Sequence, residues 1–217
     1  MRHDHRTVSQ AVSDFYPVKA AACFGAIMLI ALARVRAHHP FSRFGPANQV
    51  TAVRALLVAL VAACIGEAGS TRVATAAVAA AAMSTILDGA DGWLARRSGM
   101  ASAFGARFDM EVDALLIQVL AVLAWQWEKT GAWVLIAGLM RYLFVLAGRL
   151  WAWMRRPLRP TFRARAICIV QVVSLIAAVM PGVRPPASGL IAALGLSALS
   201  YSFFVDSRWL WTAREQA

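Results

Sequence analysis

Long apolar runs separated by short polar breaks make up most of the chain. Six of these runs approach the roughly 20 residues that a membrane-spanning helix needs. They lie near residues 48–66, 72–92, 106–127, 131–153, 165–181 and 187–206. The breaks between them, such as GEAGS, EKTG and PGVRPP, carry the glycine and proline typical of turns and are too short to hold a domain. The pattern therefore predicts an all-α integral membrane protein with a core of six transmembrane helices.

A seventh apolar segment, residues 18–33, precedes this core. Only 14 residues separate Lys19 from Arg34, which is short for a helix that crosses a bilayer. The sequence leaves open whether this helix spans the membrane or lies at its interface. We therefore expect three regions. They are an N-terminal segment over residues 1–40, a six-helix membrane domain over residues 41–210 and a C-terminal tail over residues 211–217.

The composition agrees with this prediction and excludes other classes of protein. Hydrophobic residues make up 60% of the chain and charged residues 15%, a balance that fits neither a soluble globular domain nor a disordered chain. The net charge of +11 does not indicate a nucleic-acid partner, because the basic residues stand between apolar runs rather than on one polar domain. We therefore expect membrane lipids, and no nucleic acid, around this protein.

The Lys and Arg residues are distributed unevenly between the two sides of the predicted bundle. One side carries 15 of them, in residues 34–54, 96–107, 149–165 and 208–214, whereas the other side carries three, Arg72, Lys129 and Arg184. Because Lys and Arg concentrate in cytoplasmic loops, this asymmetry predicts a multi-pass protein of the cytoplasmic (inner) membrane. It places residues 88–113 on the cytoplasmic side.

The window DGADGWLARRSGMASAFGARFDMEVD, residues 88–113, holds five of the 11 acidic residues. Asp88 and Asp91 are three positions apart at the end of one predicted helix, and Asp109 and Asp113 are four apart at the start of the next. Each pair therefore shares one helix face. A short turn joins the two helices, so we expect them to be antiparallel neighbours whose four carboxylates converge near the membrane surface.

Four converging carboxylates repel one another unless a cation lies among them. Oxygen ligands in this number suit Mg²⁺ or Mn²⁺, and two ions fit better than one, which would leave much of the charge uncompensated. Glu111 points away from this group and is left outside it. Solvated charges are a simpler alternative, but Asp88 and Asp91 would then lie at the unfavourable end of a helix dipole. A cation transporter is another alternative, whose acids we would expect near the bilayer midplane rather than at one surface beside Arg96.

The same window resembles the signature of the CDP-alcohol phosphotransferase (CDP-alcohol phosphatidyltransferase) family, D-x-x-D-G-x-x-A-R, eight residues, then G-x-x-x-D-x-x-x-D. The matching positions are Asp88, Asp91, Gly92, Ala95, Arg96, Gly105, Asp109 and Asp113, with RSGMASAF between the two parts. No position departs from the pattern. Upstream, PANQVTAVR is similar to an N-x-x-T-x-x-R stretch that many members have at the start of the first core helix. The resemblance covers the six-helix core and not the segment before residue 40.

The resemblance implies a metal-dependent transferase of phospholipid biosynthesis. Such enzymes move a phosphatidyl or similar group from a CDP-linked lipid, such as CDP-diacylglycerol, to an alcohol with release of CMP, and the family implies a homodimer. Two divalent ions, Mg²⁺ or Mn²⁺, would be held by Asp88, Asp91, Asp109 and Asp113, and Asp113 would also be the catalytic base. The nucleotide and diphosphate site would include Gly92, Ala95, Arg96, Gly105, Asn48, Thr51 and Arg54.

Arg141 indicates what the acceptor alcohol carries. It lies eight positions after Trp133, about 12 Å along a helix, and is therefore near the middle of a predicted span. An arginine at that depth costs at least about 2.5–3.5 kcal/mol, so it should face a polar cavity with an anionic partner. We expect Arg141, Arg149 and Arg165 to form a basic pocket for a phosphorylated polyol such as glycerol 3-phosphate or inositol phosphate. Serine, inositol and choline are the alternative acceptors, and the sequence does not indicate the lipid chains of the donor.

Overall fold

The computed structural model describes residues 12–38, 44–98, 100, 102–155 and 161–214. Over those residues the chain forms seven α-helices and no strand: α1 Tyr16–His38, α2 Pro46–Ala62, α3 Thr71–Ser98, α4 Ala103–Gln126, α5 Ile136–Leu150, α6 Phe162–Val179 and α7 Ala187–Ala213. Short 3₁₀ turns lie before α5 at Ala132–Leu135 and after it at Ala152–Arg155. The helices α2 to α7 correspond in order to the six predicted runs, and α1 contains the additional apolar segment.

Local capping signals explain where the helices of the site begin. α2 follows Gly45, whose φ of 82° lies in the left-handed region, and has Pro46 at its first position. Ser102 caps α4 by accepting a hydrogen bond from the backbone N–H of Gly105 at 3.0 Å. Thr161 caps α6 in the same way. Because of these polar caps, α4 and α6 begin before the apolar runs that predict them.

The packing of the bundle is centred on α4, which contacts α1, α2, α5 and α6. Its inward face is buried at Leu116, Leu120 and Leu123. α2 and α6 each pack against both α3 and α4, whereas α3 and α4 make little direct contact with each other. The two helices run antiparallel as expected, but over the described residues each packs mainly on α2 and α6, so the expected direct packing of α3 on α4 is not seen. Their acidic residues can meet only where the two helices converge at one end of the bundle.

Five of the described helices are long and apolar enough to cross a membrane. Their apolar windows are Tyr16–Ala33, Thr71–Leu94, Ala132–Leu150, Phe162–Val179 and Ala187–Thr212. α2 has only 17 residues, and the first three turns of α4 carry Arg107, Asp109, Glu111 and Asp113. The chain is thus a multi-pass membrane protein, while a core of six spanning helices and the region boundaries at residues 40 and 210 stay predictions.

The loops that follow α2, α4 and α6 meet at the end of the bundle opposite to the aspartates. The backbone carbonyl of Glu67 accepts hydrogen bonds from Gln126 Nε2 at 2.8 Å and from Trp127 Nε1 at 3.1 Å. Lys129 Nζ donates to the carbonyl of Val183 at 2.6 Å. These contacts tie three loops into one polar layer, which closes this end of the helical core.

The N-terminal turn of α1 lies at this same end. The backbone N–H and the hydroxyl of Ser13 donate to the Glu67 carboxylate at 2.8 and 2.7 Å, and Lys19 contacts the same carboxylate. The hydroxyl of Tyr16 donates to the carbonyl of Leu60 at 2.9 Å. The start of α1 therefore lies beside the end of α2, and α1 runs antiparallel to α2 along the bundle.

Candidate metal centre

Three aspartates from two helices converge at one end of the bundle. Asp88 comes from the C-terminal part of α3, and Asp109 and Asp113 come from the first turns of α4. One carboxylate oxygen of each lies within 4.8 Å of the others. The side chains of Asp88, Asp109 and Asp113 are 28%, 34% and 26% exposed. The cluster is therefore neither sealed in the core nor fully solvated, and a small molecule or ion can reach it.

The remaining motif residues on α3 are described only in part. Asp91, Ala95 and Arg96 belong to the α3 backbone, but their side chains lie outside the described residues. The metal-ligand role of Asp91 and the diphosphate contacts of Ala95 and Arg96 therefore stay predictions. Gly92 is half-buried in the same helix, and its predicted place beside the diphosphate also stays a prediction.

Arg54 occupies the buried side of the aspartate cluster. Its side chain is 1% exposed and lies on α2, which contains no acidic residue of its own. Nη2 lies 2.9 Å from Asp88 Oδ1 and also contacts Asp113 Oδ1, while Nη1 contacts Asp109 Oδ1. Nε donates to the carbonyl of Ser84 at 3.2 Å. One guanidinium thus contacts all three aspartates of this cluster.

The sequence predicts Arg54 as a nucleotide contact and does not predict these ion pairs. The signal that could have identified them is the position of Arg54 three and six residues after Thr51 and Asn48, on one face of α2. An arginine on the buried face of a helix without acids must find its counter-charge on another helix, because a lone buried charge is costly. The nearest group of acids in the sequence is the 88–113 window.

Asn48 and Thr51 share the buried face of α2 with Arg54. Asn48 Nδ2 donates to the carbonyl of Phe44, and Thr51 Oγ1 donates within α2 at 3.1 Å. A Cβ added to Gly105 would lie 2.7 Å from Asn48 Oδ1. The motif glycine on α4 is therefore required for the close approach of Asn48 on α2. Whether these residues also contact a nucleotide stays a prediction.

A small cavity of about 40 Å³ opens beside Asp88 and Asp113. Its lining consists of Thr85, Asp88, Asp113, Leu116, Arg165, Cys168, Ile169 and Val172. Arg165 therefore lines the same cavity as two aspartates of the cluster. Thr85 and Cys168 were not predicted. Each lies three positions from a predicted residue on the same helix face, Asp88 and Arg165 respectively, and this spacing is the signal that could have identified them.

The structure does not bring the three predicted acceptor arginines together. Arg165 lines the cavity, whereas Arg149 lines a separate groove at the end of α5. Arg141 Nη2 lies 2.5 Å from Glu111 Oε1. Arg141 thus has an anionic partner, as the sequence predicts. That partner, Glu111, is two positions from both Asp109 and Asp113, so it belongs to a different face of α4.

The donor set of the cluster fits a hard divalent cation. Carboxylate oxygens are the ligands that Mg²⁺ and Mn²⁺ prefer, and the described aspartates supply three carboxylates. Arg54 brings one positive charge against three negative charges, which leaves two negative charges uncompensated among these four residues. One divalent ion matches that remainder, and the charge of Asp91 would favour a second.

Comparison with known proteins yields a family match that contains the whole site. The sequence model of the family described as CDP-alcohol phosphatidyltransferase matches residues 44–203. The matched range begins before α2 and ends within α7, so it includes the aspartates, Arg54 and the cavity. No curated protein and no solved structure matches the chain.

Proposed function

The chain belongs to the CDP-alcohol phosphatidyltransferase family, and from this membership we propose that it transfers a phosphatidyl group from CDP-diacylglycerol to a small alcohol. Membership implies a membrane-bound transferase with a CDP-alcohol donor and an alcohol acceptor. The observation that carries the finer proposal is the convergence of Asp88, Asp109 and Asp113, three aspartates of the family signature, beside a cavity that Arg165 lines.

In the proposed reaction Asp113 accepts the proton of the acceptor hydroxyl, and the acceptor oxygen attacks the phosphorus that carries the diacylglycerol. A phosphorus–oxygen bond to the acceptor forms while the phosphorus–oxygen bond to CMP breaks, and CMP leaves with the bonding electron pair. Asp113 suits the role of base because it is the aspartate of α4 that lines the cavity. Asp109 contacts Arg54 on the same face of α4 and acts only as a ligand.

The proposed cofactors are two divalent ions, Mg²⁺ or Mn²⁺, with Asp88, Asp91, Asp109 and Asp113 as ligands. Bound there, they would supply positive charge that stabilises the phosphate oxygens and the leaving CMP. The contribution of the chain itself is to hold the carboxylates of two separate helices at one point. That point is partly exposed, so the diphosphate of the donor can reach it.

We place the nucleotide and diphosphate of the donor beside the motif residues of α3 and α4. The proposed contacts are Gly92, Ala95, Arg96 and Gly105, with Asn48, Thr51 and Arg54 from α2. A guanidinium such as that of Arg96 suits phosphate oxygens because its paired N–H groups match their geometry. Asn48 and Thr51 are only 4% and 2% exposed, so their proposed contacts to the nucleotide rest on the family pattern.

For the acceptor we propose a phosphorylated polyol such as glycerol 3-phosphate or inositol phosphate. Arg165 supports this choice, because a phosphate on the acceptor would find a cationic partner in the cavity wall next to Asp113. Arg141 and Arg149 lie outside that lining and are proposed only as secondary contacts. An unphosphorylated acceptor, serine, inositol or choline, is the second candidate.

We further propose a homodimer in the cytoplasmic (inner) membrane with the aspartate cluster facing the cytoplasm. The family resemblance supports the dimer. The distribution of Lys and Arg supports the orientation, because the end of the bundle opposite to the aspartates carries few of them. The structure adds Lys19 to that end, where it contacts Glu67, and the asymmetry remains large.

Release of CMP by the purified protein tests the proposed reaction. With CDP-diacylglycerol as donor, glycerol 3-phosphate or inositol 1-phosphate should support faster release than serine, inositol or choline. EDTA should abolish release until Mg²⁺ or Mn²⁺ is restored, because the carboxylates alone cannot stabilise the phosphate charge. Full activity in EDTA would contradict the metal centre, and cation flux without any release of CMP would indicate a transporter.

The variant Arg165→Gln tests the acceptor separately from the reaction. It should raise the KM for the acceptor far more than the KM for the donor, because one charged partner of the acceptor phosphate is lost. Arg208→Gln makes the same charge change at an exposed position of α7 and should change neither constant. Unchanged acceptor kinetics in Arg165→Gln would exclude the phosphate contact while the reaction class would stand.

A further inference from the structure

We infer that Arg54 is a positioning residue for the metal centre, which holds the carboxylates of Asp88, Asp109 and Asp113 in the arrangement that binds a divalent ion. The inference rests on the proposed function, because it takes Asp88, Asp109 and Asp113 to be metal ligands. Its basis is the pattern of contacts, in which the guanidinium reaches the Oδ1 atom of all three carboxylates.

The contacts of Arg54 fix the guanidinium in one orientation. Nε donates to the Ser84 carbonyl at 3.2 Å, and Nη2 lies 2.9 Å from Asp88 Oδ1, one helical turn further along α3. Because the guanidinium is planar and its N–H donors have fixed directions, these two contacts to α3 determine where Nη1 and Nη2 meet the aspartates of α4. Arg54 therefore sets the position of the α4 carboxylates relative to Asp88, although α3 and α4 hardly touch.

The burial of the four side chains puts Arg54 on the buried side of the cluster and leaves the aspartates accessible from the exposed side. Arg54 is 1% exposed, whereas the three aspartates are between 26% and 34% exposed. A guanidinium on the buried side does not need to leave when an ion binds on the exposed side. Groups that orient metal ligands from behind in this way typically strengthen metal binding by about 10–100-fold.

Charge alone predicts the opposite effect. A fixed positive charge next to a cation site repels the cation, so its removal should tighten metal binding if Arg54 only competes with the ion. If Arg54 instead positions the ligands, its removal should weaken metal binding, because the carboxylates then repel one another and separate. The sign of the change in affinity therefore distinguishes the two roles.

The test is Mn²⁺ binding to the purified protein, measured by electron paramagnetic resonance without any lipid substrate. Arg54→Gln should weaken binding by about 10-fold or more although it makes the site more negative. Arg54→Lys should weaken it too, because it keeps the charge and loses the fork of N–H donors. Arg163→Gln breaks another Arg–Asp pair, with Asp206 on α7, and should leave Mn²⁺ binding unchanged.

Unchanged or tighter Mn²⁺ binding in Arg54→Gln would overturn this inference and leave the proposed function standing. A wild-type protein that binds no Mn²⁺ would overturn both. If neither variant folds, NMR spectra of the wild type labelled with ¹⁵N-arginine distinguish whether Arg54 positions the aspartates or competes with the ion. The slowly exchanging Nε–H signal of Arg54, assigned through its contact with Ser84, should persist at saturating Mg²⁺, and its loss would show that the ion displaces the guanidinium.

Discussion

Asp113 takes part in two arrangements, because it contacts Arg54 in the aspartate cluster and lines the cavity with Arg165. If it accepts the acceptor proton, Asp113→Asn should still bind CDP-diacylglycerol while its rate falls by about 10²-fold or more. An amide of the same size keeps the shape of the side chain but cannot take up the proton. Donor binding and single-turnover rates, measured separately, check this expectation.

The matched control for Asp113→Asn is Glu128→Gln. It removes one negative charge from an exposed residue just after the other end of α4, so it should leave the rate unchanged. Near-normal turnover in Asp113→Asn would assign the base to another residue. The metal affinity of the same variant would then test whether Asp113 is a metal ligand.

For individual residues, the sequence predicts which ones share a helix face better than it predicts which ones contact each other between helices. The spacing of Asp109 and Asp113 alone puts them on one face of α4, and the structure agrees. The contact of Arg54 with that face joins residues 55 and 59 positions apart, which no local spacing encodes. Arg141 shows the same limit, because its depth predicts an acid as partner but does not predict that the acid is Glu111.

Gly138 allows α5 to approach α4 closely. A Cβ added to Gly138 would lie 2.7 Å from the Cα of Gln118, a backbone atom that cannot move aside without shifting the helix. Gly138→Ala should therefore force the two helices apart and lower the free energy of unfolding by about 1–3 kcal/mol. The melting temperature in detergent measures the loss.

Gly189→Ala is the control for this substitution. A Cβ at Gly189 on α7 would meet no heavy atom within 4 Å, and alanine has the higher helix propensity. Its melting temperature should equal or exceed that of the wild type. A Gly138→Ala protein as stable as Gly189→Ala would mean that α4 and α5 are not in close contact at this point.

Glu67 joins the start of α1 to the loop between α2 and α3. The contact with Lys19 and the hydrogen bonds from Ser13 lower the pKa of the Glu67 carboxyl from 4.5 to about 2. A pKa that is lower in the folded state means that the ionised group stabilises the fold above the unfolded value, and that this contribution is lost as the pH falls towards the folded value. The fold should therefore weaken between about pH 5 and about pH 2.

The comparison of wild type with Glu67→Gln isolates this effect from the titration of other carboxyl groups. The variant should start with a lower melting temperature at neutral pH and should lose less of it on acidification. Glu128→Gln, at an exposed carboxylate, should follow the wild type. Parallel acid profiles for wild type and Glu67→Gln would show that Glu67 does not hold α1 to the bundle.

Apolar runs predict these helices well, but they do not predict which helices pack together. The chain reverses direction after α3, and the short connection favours direct packing of α3 on α4. The structure places α2 and α6 between them instead, because the polar face of α2, with Asn48, Thr51 and Arg54, is buried between the two acidic helices. That arrangement depends on side chains from three helices at once and is not visible in any single run.

Over the whole molecule, the direction of α1 decides on which side of the membrane this helix starts. The run between Lys19 and Arg34 looks short for a span, but α1 begins at Tyr16, and Lys19 is accommodated through its contacts with Glu67 and the Ile65 carbonyl. We therefore expect α1 to cross the bilayer completely. The start of α1 and the end of α7 then lie on opposite sides.

Labelling of single cysteines in sealed vesicles tests this topology. In a background without the three native cysteines, Asp14→Cys and Glu128→Cys should react with a membrane-impermeant maleimide from one side. Arg214→Cys should react only from the other side. Reaction of Asp14→Cys and Arg214→Cys from the same side would mean that α1 lies at the interface.

The ion pairs between α2 and α4 also bear on how the chain enters the bilayer during synthesis. Each charged residue at the centre of a helix costs about 2.5–3.5 kcal/mol on insertion. α2 emerges from the ribosome with Arg54 and no acid, and α4 follows with Asp109 and Asp113, the partners that neutralise it. Neither segment is well suited to the lipid alone. We therefore expect α2, α3 and α4 to leave the insertion machinery as one unit. Glu111 on α4 then forms its ion pair with Arg141 when α5 is inserted.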